Sequence, residues 1–453
     1  MEARKRAGLD MTQGSPARLL ILFAIPMWIG GIFQLMYNLV DTIVVGRFVS
    51  IDALAAIGAA ASTSMFIMFM GNGLTNGLSI IVSQAEGAKQ EERLKKAVAH
   101  AAYMVLGGGA VLGALSFFGA RPLMELLGAP ENIIDQSVLY IQITGGLTVI
   151  QQAYNGVSSV LRAVGDSKTP LYFLIFSSLL NVGLDLLFVL GFNGGVAGVD
   201  FATVLSQLVS AVLCGLYMSK RHKRLVPDRE SWRLDKAMIK EYLSIGLPMC
   251  AQSMVLCVGM FVITAVINSF GSDIVAAYTV GGKVEQLATV SFSNVAFSFS
   301  VYAGQNFGAK KFQRIKEGLR KGLLIVCGLS VVSTAVMLIF ARPLALMFME
   351  SPSEYVLEAA VSMVRIEAMF FWALGGIWTV NSALRGMGKV KATLVSSIVE
   401  LTAKIGGSVL LPIWMGYVGI WLSAPIGWVL GMAPSLFILL RWIAKQNDAV
   451  KVR

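Results

Sequence analysis

Apolar runs long enough to cross a lipid bilayer recur twelve times along this chain, and no other feature restricts its fold so severely. They fall near 17–46, 53–83, 97–119, 132–161, 171–192, 199–219, 243–270, 274–304, 318–340, 356–384, 393–412 and 419–440. A helix needs about 20 residues to cross a hydrocarbon core of about 30 Å. Several runs are longer, so they are expected to tilt, bend or reach beyond the bilayer. Only 14% of the 453 residues are charged and 56% are hydrophobic, whereas soluble domains carry roughly 25% charged residues. A soluble fold could not bury that much apolar surface with so few charges left for water. The 46 glycines suit helices that pack closely through small residues. The fold class read from these runs is an all-α membrane protein of twelve transmembrane helices.

Charge placement sets the orientation. With the N-terminus in the cytoplasm, 31 of the 37 Lys and Arg fall on inner segments; outside are Arg47, Arg121 and Arg342, and Lys283, Arg365 and Lys404 remain within spans. Cytoplasmic loops concentrate Lys and Arg, so a multi-pass protein of the plasma (inner) membrane with both termini cytoplasmic is expected. The net charge of +11 has the same origin. The run Lys220-Arg221-His222-Lys223-Arg224 and the pair Lys310-Lys311 have loop positions and no interleaved aromatic residues, so no nucleic-acid partner is expected. The four cysteines lie in apolar segments without a CxxC pair, and His100 and His222 are far apart. Disulfides, a metal centre and other cofactors are therefore not expected. Met1 to Arg18 is polar without a cleavage pattern, so the first span is expected to stay in the protein.

The two halves repeat at an offset of 221–223 residues. Pro26-Met27 recurs as Pro248-Met249, and Gln84-Ala85-Glu86-Gly87-Ala88-Lys89 as Gln305-Asn306-Phe307-Gly308-Ala309-Lys310. Ala120-Arg121-Pro122-Leu123 recurs as Ala341-Arg342-Pro343-Leu344, and Leu161-Arg162 with Gly165 and Lys168 as Leu384-Arg385 with Gly388 and Lys391. Six spans per half give both halves the same orientation, a parallel repeat about an axis along the membrane normal. The expected organisation is an N-lobe over 1–219, an inter-lobe loop over 220–242 and a C-lobe over 243–453. Two six-helix lobes would enclose a cleft able to open to either side, the architecture of alternating access.

A carboxylate at bilayer depth costs several kcal/mol, so it faces the protein interior and usually has a task. Asp41 shares one helical face with Gln34, Tyr37 and Asn38, at i−7, i−4 and i−3. Asp185 has Asn181 at i−4, and Asn155 and Thr203 lie at comparable depths on neighbouring spans. Two carboxylates, two Asn and hydroxyls suit a cation or proton site, because hard cations take oxygen ligands and a low dielectric favours the protonated carboxyl. The alternative for Asp41 is a hydrated position at the outer interface. For Asp185, the following Leu186-Leu187-Phe188 argues for depth. In the second half, Glu400 and Lys404 stand at i,i+4, the order that favours an ion pair, and a neutralised structural pair is the simpler reading. Lys283 and Glu285 face different sides of one helix. Arg365 and Glu367 are read as interfacial. Pro26 removes a hydrogen bond inside span 1, marking either a hinge or a static kink.

Together the twelve spans, the six-plus-six repeat, Pro26 with Asp41 on span 1, the Gln84–Lys89 and Gln305–Lys310 loops and the Leu-Arg-x-x-Gly turns resemble the multidrug and toxic compound extrusion (MATE) family, over about 15–440. Within it, the chain is most similar to the DinF-like branch. The resemblance implies antiport of drug against proton or sodium. It implies an N-lobe coupling site that maps onto Asp41, Asn155, Asn181, Asp185 and Thr203, a substrate cavity that includes Gln34 and Tyr37, and bending at Pro26 that accompanies protonation. Another branch places acids on spans 7 and 10, whereas 249–268 and 368–384 contain none, so a C-lobe sodium site of that type is not expected.

The expected function is thus secondary active efflux of small organic molecules, cationic or amphipathic, against H+ or Na+ by a monomer in the lipid bilayer. The 22 Met and 24 Phe residues include some able to line an adaptable pocket. A flippase for lipid-linked or anionic lipid cargo is the alternative on the same fold, but only Lys283, Arg365 and Lys404 lie within spans to meet anionic groups. Repeated charged rings of a channel are lacking. No nucleophile–base set, P-loop or Rossmann fingerprint points to an enzyme or to nucleotide as the energy source.

Overall fold

Fifteen α-helices follow the apolar runs among the described residues: α1 Pro16–Phe48, α2 Ile51–Gly87, α3 Glu91–Leu126, α4 Glu131–Gly146, α5 Thr148–Ala163, α6 Lys168–Leu186, α7 Gly195–Arg221, α8 Lys236–Asn268, α9 Ser272–Gly308, α10 Phe312–Leu346, α11 Glu354–Ala368, α12 Phe371–Gly386, α13 Val390–Leu410, α14 Pro412–Met415 and α15 Tyr417–Lys451. A computed structural model describes residues 8–48, 51–126, 130–192, 194–350 and 352–451; the side chains of 37–48, 51–57, 61–62, 126, 132, 196 and 447–451 lie outside that description. Ten segments are long and apolar enough to span a bilayer, with α4 and α5 forming one of them. Helices α11 and α12 make an eleventh, bent by 52°. The twelfth is α9, 37 residues long, whose Lys283, Glu285, Gln286, Ser293 and Asn294 lower its hydropathy. Several helices outrun the apolar stretches: α10, at 35 residues, is about 52 Å long, because its first turns carry Arg314, Lys316, Arg320 and Lys321 out of the apolar layer.

The repeat is visible in backbone detail. Helix α2 ends with Ala88 N donating to Gln84 O and Lys89 N to Glu86 O; α9 ends with Ala309 N to Gln305 O and Lys310 N to Phe307 O. Lys89 (φ 54°) and Lys310 (φ 57°) are both left-handed, a conformation that closes the orphan carbonyls of a helix end. The Leu-Arg-x-x-Gly turns match as well. Gly165 N and Asp166 N donate to Arg162 O and Leu161 O, as Gly388 N and Lys389 N donate to Arg385 O and Leu384 O. Gly165 (φ 91°) and Gly388 (φ 75°) stand where a side chain would be strained.

By packing, the chain divides into one unit of Met1–Asp10 with Ile25–Ser253 and a second of Met11–Ala24 with Met254–Arg453. The boundaries differ from a cut at the central loop, since the starts of α1 and α8 group with the opposite halves. Residues 222–235 are also not a bare linker. Within the first unit, Arg224 Nη1 donates to both oxygens of Glu86 at 2.6 and 2.7 Å. Tyr103 Oη donates to Trp232 O at 2.8 Å, and Asp235 N donates to His100 Nε2 at 2.9 Å.

Each unit has its own apolar core. In the first, Met124, Ile141, Val138 and Ala60 are buried together. In the second, Phe292 meets Phe371 edge-on at 5.6 Å beside buried Trp421 and Trp428. Large apolar side chains also remain outside, among them Phe118 at 79% and Leu179 at 70% exposure. In water such a surface would aggregate; in a bilayer it is the face presented to lipid.

Candidate functional site in the first unit

Helix α6 carries the acid expected at depth. Asp185 is 0% and Asn181 1% exposed, one turn apart and therefore stacked on one face. With Nδ2 turned toward the acid, the Asn181 amide donates to Asp185 Oδ2 at 3.0 Å, and its carbonyl accepts from Thr203 Oγ1 of α7 at 3.2 Å. The reverse amide setting keeps only the Thr203 contact. The first setting satisfies both the nitrogen and the oxygen of the Asn181 amide, so it is the one the network selects. A π-helical turn, Leu187–Gly191, follows at once. Such turns re-aim side chains and concentrate at functional sites.

Thr203 also stands on the wall of a cavity of about 430 Å³, with Gln34 of α1, Asn72 of α2, and Gln151, Tyr154 and Asn155 of α5. Ser177 and Ser178 of α6 and Ser206 and Gln207 of α7 complete its polar lining, and Met68 and Leu174 are the apolar patches. Asp185 and Asn181 stand behind this wall, reached through Thr203. Amides and hydroxyls dominate, an arrangement that can hold a hydrogen-bonding ligand or pass a small cation to the buried carboxylate.

The structure thus brings together Gln34, Asn155 and Thr203 on one cavity and Thr203, Asn181 and Asp185 in one hydrogen-bonded chain. Tyr37, Asn38 and Asp41 lie outside the described residues as far as their side chains go. Pro26 is buried within α1, which remains helical through it. In the second unit, Lys404 Nζ pairs with Glu400 Oε1 at 2.7 Å, the ion pair that their spacing implies. Lys283 Nζ lies 5.7 Å from the centroid of Phe348. The interfacial reading of Glu367 is corrected: it is 4% exposed and ends α11 at the bend, 13 residues into the helix, whereas Arg365 is exposed.

The MatE family model matches the sequence twice, over residues 26–187 and 248–410, once in each repeat. This chain belongs to the MatE family. Members of that family are transporters and not enzymes. Probable multidrug resistance protein YoeA of Bacillus subtilis is 27% identical, covering 98% of this chain and 93% of its own length. Probable multidrug resistance protein YpnP of the same organism is 28% identical over 91% and 92% of the two chains. A MOP superfamily transporter from Pyrococcus furiosus shares the fold at a TM-score of 0.90 and 22% identity, covering 98% of each chain.

Sequence reasoning missed Asn72, Gln151, Tyr154, Ser177, Ser178, Ser206 and Gln207. A signal was present: Gln151, Tyr154 and Asn155 stand at i, i+3 and i+4, as do Thr203, Ser206 and Gln207. Polar stripes at that spacing inside apolar spans mark a face turned from lipid.

Proposed function

We propose that this transporter exports small organic molecules, cationic or amphipathic, in exchange for an inward-moving H+ or Na+, by alternating access. Asp41, Asn155, Asn181, Asp185 and Thr203 form the coupling site, and Gln34, Tyr37 and Asn38 belong to the substrate cavity. The observation that carries this reading is a fully buried carboxylate, Asp185, connected through Asn181 and Thr203 to the wall of a polar cavity. Cation loading neutralises the carboxylate, which loosens its hold on the Asn181 amide. One charge moving down 100 mV supplies about 2.3 kcal/mol, enough to shift such a network. The names of the two Bacillus subtilis relatives support drugs as cargo.

Pro26 serves as the hinge of α1. It lies two residues beyond Ala24, where the chain leaves the second packing unit for the first, and proline frees the helix there from one hydrogen bond. The bias of Lys and Arg toward one set of loops supports an orientation in the inner membrane with both termini cytoplasmic. The test is drug resistance of an efflux-deficient host carrying Asp185→Asn or Asp41→Asn. Loss of resistance in both at normal expression is expected, and full resistance in both rejects the coupling site. Proteoliposomes under separately imposed proton and sodium gradients then identify the ion.

A further inference from the structure

The stretch from Val226 to Lys240 occupies its acids and leaves its bases free. Asp228 Oδ1 accepts from Ser231 N and Oγ at 2.9 and 2.7 Å, and its other oxygen lies 3.6 Å from Lys95 Nζ. Asp235 Oδ1 caps the start of α8 by accepting from Ala237 N at 2.8 Å. Just beyond, Glu241 pairs with Arg93 at 2.8 Å. Arg229, Arg233, Lys236 and Lys240 are exposed and enter no ion pair with a described residue. Glu230 is the acid left outside with them. Among these bases stand apolar side chains that a loop in water would hide: Trp232 is 41% and Leu234 69% exposed.

The helix beneath fixes the level of this surface. Tyr103 of α3, which donates to Trp232 O, meets the Trp232 ring edge-on at 5.4 Å. His100 Nε2 accepts from Asp235 N, and Tyr242 Oη donates to Ala97 O at 2.7 Å. Ala97, His100 and Tyr103 span about 9 Å of helix, the opening turns of the apolar run that begins near 97. Residues 232–242 therefore lie at the edge of the hydrocarbon. Helix α8 agrees with that level. Lys236, Lys240, Leu243 and Leu247 follow one face, and Leu243 and Leu247 are exposed. That face passes from lysine to leucine as a bilayer passes from headgroup to acyl chain.

We propose that this surface is a seat for anionic phospholipid, with Arg229, Arg233, Lys236 and Lys240 on the headgroup phosphates and Trp232 and Leu234 in the acyl boundary. Free cations at an apolar border are drawn to anionic headgroups, and tryptophan settles at that depth. The same surface on a second copy would be repelled by its own charge. A soluble acidic partner would leave Trp232 and Leu234 unmatched. A bilayer around the chain is the one requirement; neither the coupling site nor the choice of cytoplasmic end enters.

The test is limited trypsin digestion of the full chain in nanodiscs holding one molecule each. The discs are made of phosphatidylcholine alone or of equal parts phosphatidylcholine and phosphatidylglycerol. Mass spectrometry follows the bonds after Arg229 and Arg233, normalised to a soluble peptide in the same mixture. Both bonds are expected to be cut more slowly in the phosphatidylglycerol discs. Lys236→Gln with Lys240→Gln weakens that protection by about fivefold per charge and leaves the rate in phosphatidylcholine unchanged; Lys236→Gln alone repeats the measurement should the double variant not fold. Added salt erodes the protection. Equal rates in the two lipids overturn the proposal, as does protection that the variants or salt leave intact. Protection in detergent that grows with protein concentration and needs no lipid would place a second copy on the surface and would also overturn it.

Discussion

Replacing Asn181 with leucine removes the amide that donates to Asp185 Oδ2 at 3.0 Å while keeping the side-chain volume similar. Asp185 is 0% exposed, so water does not take over the lost bond. A hydrogen bond to a charged group contributes about 1.5–3 kcal/mol. At about 1.4 kcal/mol per factor of ten, the anionic carboxylate that must load the next cation becomes about 10- to 150-fold harder to form. Thr203→Val deletes only a neutral hydroxyl contact, about 1 kcal/mol or roughly fivefold. Transport rates should therefore rank wild type, then Thr203→Val, then Asn181→Leu, with Asp185→Asn inactive. The assay is dye accumulation in everted membrane vesicles under an imposed ion gradient, corrected for expression. An Asn181→Leu protein at the wild-type rate, or a Thr203→Val protein worse than Asn181→Leu, refutes the chain from cavity wall to carboxylate.

Other consequences concern stability and pH. Gly386→Ala would place a Cβ 2.8 Å from both Ala303 Cβ and Gly304 N and nearer still to the Ser300 carbonyl; backbone cannot yield there, so a loss of about 1–3 kcal/mol should appear as a lowered melting temperature in detergent. Arg224→Ala leaves the Glu86 carboxylate, 9% exposed, without its two-pronged partner, and a loss of about 1–3 kcal/mol should show as faster proteolysis of the 222–235 segment. Burial would raise the Asp166 carboxyl, but hydrogen bonds from His222 and from the Thr169 amide and hydroxyl outweigh it and hold the group below the usual carboxylate range. A depressed carboxylate adds stability above its unfolded value, about 3.9, and loses it as pH falls through the folded value. The melting-temperature gap between wild type and Asp166→Asn should thus stay level from neutral pH to about pH 4 and close only below that.

Much of this molecule is readable in one dimension because the bilayer imposes a local rule. Backbone groups in hydrocarbon must be satisfied within the segment, so each long apolar run had to be helical, and the two-fold recurrence of Gln84–Lys89 and Leu161–Gly165 carried over into matching helix ends. Asn181 with Asp185, and Glu400 with Lys404, were legible for the same reason: four residues on a helix are spatial neighbours regardless of what surrounds them. The joining of Thr203 to Asn181, the wall that unites Gln34, Asn72 and Asn155, and the docking of 222–235 on Glu86, Tyr103 and His100 were not. A contact between residues on different helices depends on how those helices rotate and bend against each other. That arrangement is set by the packing of many side chains at once, such as Phe292 on Phe371 and Lys404 on Gly427, and no local period in the chain encodes it.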